Sequence, residues 1–238
     1  MPPIVITVDG GIGAGKTVYI NMICKKLSQR GWRITVVKEP VDKWRESGIL
    51  DLFYKDPKRW AYHFQTKAFH DRVVENIEAF AAHGETSDVF ILERSPFTDN
   101  LFVEVLYDDK MVTDLEYKDY KQWWSLWYKV MPYTPNMFIY LRPDIDVQMS
   151  RIEERNRSEE LRSADGKSGV TLEYQKKLVS KHDEFFQNDM VEIGPDSYVP
   201  CVKLITNENY RDDAITQEKF TDHFESLISS LKNIKKLH

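Results

Sequence analysis

The chain is poor in cysteine: Cys24 and Cys201 are the two in 238 residues, and they form no CxxC pattern. That excludes a disulfide framework and a thiolate zinc site, and makes a reducing compartment the default. Basic excess is also lacking, since 33 Lys and Arg against 38 Asp and Glu leave a formal charge of −5. A general nucleic-acid binder carries the opposite balance, so no nucleic-acid partner is expected. No apolar run approaches the ~20 residues of a membrane span, so no membrane partner is expected either. The six histidines are scattered without metal-ligand spacing. There is no internal repeat, and the single low-complexity patch, Arg162 to Gly169, reads as a surface loop. What remains is ordinary: 42% hydrophobic and 30% charged residues describe one globular domain, residues 1–238.

The strongest positive signal is near the N-terminus. Ile4 to Val8 is an apolar, β-branched run that leads into Gly10-Gly11-Ile12-Gly13-Ala14-Gly15-Lys16-Thr17. This is G-x-x-x-x-G-K-[ST], set between an expected strand and an expected helix. Glycines let backbone N–H groups turn inward around phosphate oxygens, and the positive end of the next helix points at the same place. Lys16 is expected to reach the β- and γ-phosphates of a nucleotide, and the Thr17 hydroxyl to ligate Mg²⁺. The motif does not choose between kinase, switch and motor. A first strand that starts at Ile4 leaves no room for a cleaved leader after Met1, so a cytoplasmic location is expected.

Short apolar segments alternate with helical ones. Strands are expected over Ile4–Val8, Arg33–Lys38, Asp88–Leu92, Asn136–Leu141 and Cys201–Thr206. Helices are expected over Thr17–Gln29, Pro57–Ala82, Asp114–Val130, Ile145–Asn156, Leu172–Phe186 and Gln217–Ile234. The alternation predicts an α/β fold, a parallel five-stranded sheet covered on both faces. Ligands of such sheets lie beyond the carboxyl ends of the strands. The glycine loop, Glu39 and Glu93-Arg94 each follow a strand directly, so all three converge on one crevice.

Glu39 would face a γ-phosphate across that crevice and could accept a proton from an alcohol; capping or solvation would explain it equally well. Arg94 could hold a transferring phosphoryl group or fix a carboxylate, and Glu93 could join the Mg²⁺ shell. A structural ion pair at the strand end is the alternative. Arg151 and Arg155 share a helical face, with Arg157 just beyond. Arginines ahead of a glycine-rich loop suit a lid over phosphates, about residues 151–171, but interspersed glutamates also suit a plain exposed helix. Trp123, Trp124, Trp127 and Tyr128 read as core or subunit-interface packing.

These segments together resemble the deoxyribonucleoside kinase family, whose fold is a P-loop kinase fold with a lid. The likeness rests on Gly10–Thr17, Glu39-Pro40-Val41-Asp42-Lys43-Trp44, Phe53 to Trp60, Phe64-Gln65-Thr66, Glu93-Arg94-Ser95, Arg151 to Glu160, Leu172-Glu173-Tyr174 and Thr206 to Tyr210. The resemblance implies an enzyme of nucleotide salvage that uses ATP and Mg²⁺ to phosphorylate a deoxynucleoside at its 5′-hydroxyl. It makes Glu39 the general base and Arg94 its partner. Gln65 would read the nucleobase edge, Tyr54 and Glu160 would hold the 3′-hydroxyl, and Trp44 and Phe64 would wall the pocket. Arg155 and Arg157 would meet the donor phosphates, with Asn207 and Tyr210 near the donor base. A homodimer through Pro57–Ala82 and the segment from Asn100 through the tryptophans is also implied.

Arg72 and Asp99 are similar to the arginine and aspartate of deoxycytidine and deoxyguanosine kinases. Such a pair adds directed hydrogen bonds and removes room for a thymine methyl, which favours deoxycytidine and purine deoxynucleosides over thymidine. Departures from the family occur after Ser95, where Pro96-Phe97-Thr98-Asp99-Asn100 stands. The family's base-stacking phenylalanine falls at Val103, with Phe102 one position early. The segment between Glu160 and Leu172 is also longer than usual. Two other functions compete: a thymidylate-type monophosphate kinase, and a nucleotide-binding regulatory protein without catalysis. The first typically carries Asp-Arg-Tyr where this chain has Glu93-Arg94-Ser95, and a Glu39 carboxylate near the acceptor oxygen would repel a monophosphate. The intact Lys16, Thr17, Glu39, Arg94 and Glu160 argue against the second.

Overall fold

A computed structural model describes residues 2–161, 169–194 and 196–237. Residues 162–168, which make up all of the low-complexity patch but Gly169 and most of the longer segment between Glu160 and Leu172, fall outside the described residues, as do the side chains of Trp127 and Tyr128.

The described residues form strands β1 (Ile4–Asp9), β2 (Ile34–Val37), β3 (Val89–Glu93), β4 (Met137–Leu141), β5 (Met190–Gly194) and β6 (Ser197–Leu204). The helices are α1 (Lys16–Gln29), α2 (Val41–Glu46), α3 (Ile49–Lys55), α4 (Pro57–His83), α5 (Asn100–Asp108), α6 (Asp114–Val130), α7 (Ile145–Arg155), α8 (Leu172–Phe185) and α9 (Ala214–Leu237). The sheet order is β2-β3-β1-β4-β6-β5. Every neighbouring pair is parallel except β5 and β6, which form an antiparallel hairpin at one edge.

The sheet therefore has six strands, not the five expected. The added strand, β5, alternates exposed and buried residues. An edge strand wetted on one face shows no continuous apolar run, and continuous runs were the signal for the inner strands. β1, β3 and β4 are buried on both faces. The short helices α2 and α3 were also not anticipated, because six or seven residues cannot display a helical period.

Two apolar layers hold the sheet. Ile6, Val8, Ile91 and Ile139 pack on Ile20, Ile23 and Leu27 of α1 and on Phe224 and Ile228 of α9. On the other face Val5, Phe90, Leu92, Phe138 and Tyr140 pack on Phe80, Tyr133 and Phe186. Burying each such side chain stabilises by about 1.5–3 kcal/mol, so the strand ends that carry the site are rigidly anchored. A third cluster, with Trp44, Leu50, Phe53, Tyr54 and Phe64, gathers α2, α3 and α4. Local chemistry sets where α4 begins: the Asp56 carboxylate accepts from the Arg59 N–H at 3.2 Å, and Pro57 takes the first helical position.

Candidate active site

The P-loop joins β1 to α1. Gly13 has φ +75°, and a Cβ there would come within 2.4 Å of the Gln148 carbonyl. Gly10, at φ +148°, would bring a Cβ within 2.6 Å of the Leu141 carbonyl. Only glycine fits either place. Two buried glutamines brace the loop: Gln175 donates to the Ile12 carbonyl at 2.7 Å and also contacts Gln148. No sequence motif marked them. Lys16 folds back, its Nζ 3.1 Å from the carbonyls of both Gly10 and Gly11. Burial, then the nearby Arg94 charge, pushes the Lys16 pKa down to about 7, against opposing pulls from Glu39, Glu93 and Asp9. Its hydrogen-bond partners are the two loop carbonyls rather than a carboxylate.

The Thr17 hydroxyl donates to Glu93 Oε1 at the end of β3. Among the described residues no group of three or more His, Cys, Asp or Glu could hold a metal unaided. A hydroxyl beside one carboxylate is a donor set that fits Mg²⁺, which keeps water and phosphate oxygens for its other positions.

Glu39 follows β2. Arg94 Nε donates to its Oε1 at 3.2 Å, and Arg72 Nη2 contacts the same oxygen. No described residue hydrogen-bonds Oε2. Burial alone would raise the Glu39 pKa, but Arg94, Arg72 and Lys16 outweigh it and hold the carboxyl well below the usual range. Glu39 is thus an ionised carboxylate with one oxygen committed and one open. Arg94 itself has a left-handed backbone, φ +65°, uncommon for a residue with a Cβ. Its N–H donates to the Val8 carbonyl at 3.0 Å, and its Nη2 to the Gly10 carbonyl at 2.9 Å.

The α2–α4 cluster forms a pocket beside Glu39. Trp44 meets Phe64 edge-on at 5.5 Å, and Phe53 stacks on Phe64 at 4.8 Å. Trp44 Nε1 donates to Asp71 at 2.9 Å, which fixes the indole. Gln65 and Arg72 are seven residues apart, two turns of α4, so both project into the pocket. Gln65 is buried, yet no described residue hydrogen-bonds its amide. Arg72 Nη1 pairs with Asp99 Oδ1, and the Tyr120 hydroxyl donates to Asp99 Oδ2.

One cavity of about 420 Å³ unites these parts. Its wall includes the P-loop from Ile12 to Thr17, Glu39, Trp44, Tyr54, Phe64, Gln65, Arg72, Glu93, Arg94, Arg155, Arg157 and Glu160. Asp99 has no exposed surface and lies behind Arg72 rather than on the wall. Of the two candidates for base stacking, Phe102 lines the cavity, beneath the Arg94 guanidinium at 4.4 Å. Val103 faces away, into a cluster with Phe69 and Tyr120. Helical register decided this, and sequence spacing alone could not.

Glu160 is buried and accepts from Arg155 and, at 3.2 Å, from Arg157 Nη1. Burial, then the Glu160 charge, raises the Tyr54 phenol pKa well above its ordinary value, so the group stays a donor. Asn207 and Tyr210 line an adjoining cavity of about 410 Å³ with Arg151. The Asn207 amide is engaged by Asp144, while the Tyr210 hydroxyl lies 3.4 Å from the Gly15 carbonyl. Arg151 Nη2 donates to the Thr206 carbonyl at 2.7 Å, tying the two cavities together.

Known proteins are similar to this chain over most of its length. The profile of the family described as deoxynucleoside kinase matches residues 6–229. The chain is 32% identical over 231 residues to a Fowlpox virus protein named "Probable deoxycytidine kinase", covering 95% of this chain and 88% of that protein. It is 27% identical over 252 residues to deoxycytidine kinase of Homo sapiens, covering 95% and 89%. It is 22% identical over 251 residues to mitochondrial deoxyguanosine kinase of Xenopus laevis, covering 95% and 90%. With a family match over most of its length and a P-loop, strand-end carboxylate and arginine in one crevice, the chain belongs to the deoxynucleoside kinase family, a family of ATP-dependent transferases.

Proposed function

We propose that this protein transfers the γ-phosphoryl group of ATP to the 5′-hydroxyl of a deoxyribonucleoside, with deoxycytidine and purine deoxynucleosides preferred to thymidine. The observation that carries the reading is Glu39: an ionised carboxylate with an open oxygen, set between the P-loop lysine and an aromatic pocket. The 5′-hydroxyl donates to Glu39 Oε2. Its oxygen forms a bond to the γ-phosphorus as the bond to the β,γ-bridging oxygen breaks. The hydroxyl proton passes to Glu39, and ADP departs. Lys16, Arg94, Arg155 and Arg157 stabilise the charge that spreads over the phosphoryl oxygens. Thr17 and Glu93 would hold Mg²⁺, which would supply further charge neutralisation.

Gln65 offers a paired donor and acceptor to the nucleobase, between Phe102 and the Trp44–Phe64 wall. Tyr54 and Glu160 take the 3′-hydroxyl, for which Glu160 must loosen from the two arginines. Arg72, braced by Asp99, narrows the pocket where a thymine methyl would sit. The adjoining cavity takes the base of ATP, with Asn207 and Tyr210 on its wall.

The chain acts as one domain, working in the cytoplasm as a homodimer, with Arg155 and Arg157 as the described arginines of its lid. Leu115 at 70%, Trp123 at 51% and Val130 at 52% exposed leave apolar surface on α6, which a second copy would cover. Sedimentation of the protein and of Trp123→Asp checks this: a dimer that becomes a monomer supports it, and a monomeric parent contradicts it.

Initial rates with deoxycytidine, deoxyadenosine, deoxyguanosine, thymidine and dTMP, each with ATP and Mg²⁺, test the function. Phosphorylation of deoxycytidine or a purine deoxynucleoside ahead of thymidine is expected. Activity on thymidine alone would overturn the role given to Arg72 and Asp99. Activity on dTMP alone would remove Glu39 as the base, since a carboxylate at the acceptor oxygen repels a monophosphate.

A further inference from the structure

The proposed transfer leaves a buried histidine beside the site unused. His182, on α8, has no exposed surface. Its Nδ1 lies 2.7 Å from the Leu178 carbonyl one turn earlier. A carbonyl only accepts, so Nδ1 carries the proton. Nε2 is then an acceptor, and it faces Arg94 Nη1, which only donates, at 3.4 Å. The ring has little freedom to leave: it stacks on Tyr140 at 6.1 Å and meets Phe102 edge-on at 5.9 Å.

Each Arg94 nitrogen therefore has its own acceptor. Nη2 takes the Gly10 carbonyl, Nε takes Glu39 Oε1, and Nη1 takes His182. The guanidinium is buried, so a donor without a partner would be costly and would seek another acceptor. The nearest carboxylate is Glu39. A guanidinium turned to grip both its oxygens would occupy Oε2, the atom left open for the substrate hydroxyl.

We propose that His182 is a positioning residue for phosphoryl transfer: its neutral imidazole holds Arg94 Nη1, so that Arg94 contacts Glu39 through Nε alone and leaves Oε2 open. The inference rests on the reading of Glu39 as the base. Burial, followed by the Arg94 charge, pushes the His182 pKa down to about 3, with Lys16 acting the same way and the Leu178 carbonyl and Asp183 opposing. The ring is neutral at working pH and cannot repel the guanidinium. A protonated imidazole at that place would have no lone pair to offer.

Two substitutions and one spectroscopic measurement test this. His182→Gln retains an acceptor at similar reach, and His182→Leu removes it. In the leucine variant kcat for nucleoside phosphorylation should fall about tenfold or more, the scale of one hydrogen bond to a charged group. Its KM for ATP should stay within about threefold, because the P-loop is untouched. The glutamine variant should recover to within about threefold of the parent kcat. Equal losses in both variants, or parental kcat in the leucine variant, would overturn the inference. Histidine ring ¹⁵N resonances of the parent protein, without substrate, give a second answer that needs neither variant to fold. Nδ1 should be protonated and Nε2 bare over about pH 5 to 8. A proton on Nε2 overturns the inference whether or not the protein turns over. Absence of nucleoside phosphorylation by the parent would instead sink the functional reading, and the ring resonances would still decide the contact.

Discussion

Replacing Glu39 by glutamine separates proton acceptance from binding. The amide has the shape of the carboxylate, and its oxygen still accepts from Arg94 Nε, which stands 3.2 Å from Oε1. What it cannot do is take a proton from the 5′-hydroxyl. Removing a positioned general base costs about 10²–10⁴ in rate, so kcat should fall by that factor. The dissociation constant for deoxycytidine should stay within about fivefold, since the aromatic wall, Gln65 and Tyr54 are unchanged. Some stability is lost as well, because Arg94 and Arg72 are buried beside one negative charge fewer. Asp99 still pairs with Arg72. The cost should therefore resemble one lost charged hydrogen bond, about 1.5–3 kcal/mol, rather than a stranded ion pair. Product formation followed by chromatography gives kcat, titration calorimetry gives nucleoside affinity, and thermal unfolding gives stability. A variant with kcat within about threefold of the parent would refute Glu39 as the base. Equal collapse of affinity and turnover would make Glu39 a binding residue. The lowered Glu39 pKa has its own consequence. A depressed carboxylate stays ionised as pH falls, so kcat/KM for the nucleoside should hold down to about pH 5.

Three further outcomes follow from the same geometry. With its pKa near 7 in the free protein, Lys16 must take up a proton to meet the triphosphate above that pH; ATP affinity should therefore fall as pH rises past 7, by at most about tenfold per unit. Calorimetry in buffers of different ionisation heat should register the uptake, and pH-independent affinity would contradict it. Gly13→Ala puts a Cβ 2.4 Å from the Gln148 carbonyl at φ +75°, so the loop must distort and ATP binding should be lost while the nucleoside pocket persists. Undiminished nucleotide binding would mean that the loop tolerates a side chain. Substituting Arg72→Met and Asp99→Ala together opens the pocket and removes the bridge to Glu39, so the ratio of thymidine to deoxycytidine turnover should rise at least about tenfold. An unchanged ratio would place thymine discrimination elsewhere.

The P-loop was legible because its chemistry is local: glycines, lysine and threonine at fixed spacing dictate a phosphate cradle whatever the rest of the chain does. Glu39, Glu93 and Arg94 were legible because a strand end in a parallel sheet has one place to point. The inner strands showed as continuous apolar runs, whereas β5 did not, since its residues alternate at a wet edge. Contacts between distant segments were hidden. Nothing in spacing says that Arg72 reaches Glu39, that Asp99 stands behind Arg72 rather than on the pocket wall, or that Glu160 is held by Arg155 and Arg157. Nor does spacing choose Phe102 over Val103, which depends on the rotation of α5 against its neighbours. Gln148, Gln175 and Tyr120 were missed for the same reason: they act by bracing loop backbone or another side chain, and carry no motif.

The most direct measurement is the product balance of one reaction: purified protein with deoxycytidine, ATP and Mg²⁺, run beside the Glu39→Gln variant. The account predicts deoxycytidine 5′-monophosphate and ADP in equal amounts from the parent, and about a hundredth or less of either from the variant. ADP without nucleotide product, or equal product from the variant, would contradict the claim that Glu39 accepts the proton of a nucleoside hydroxyl.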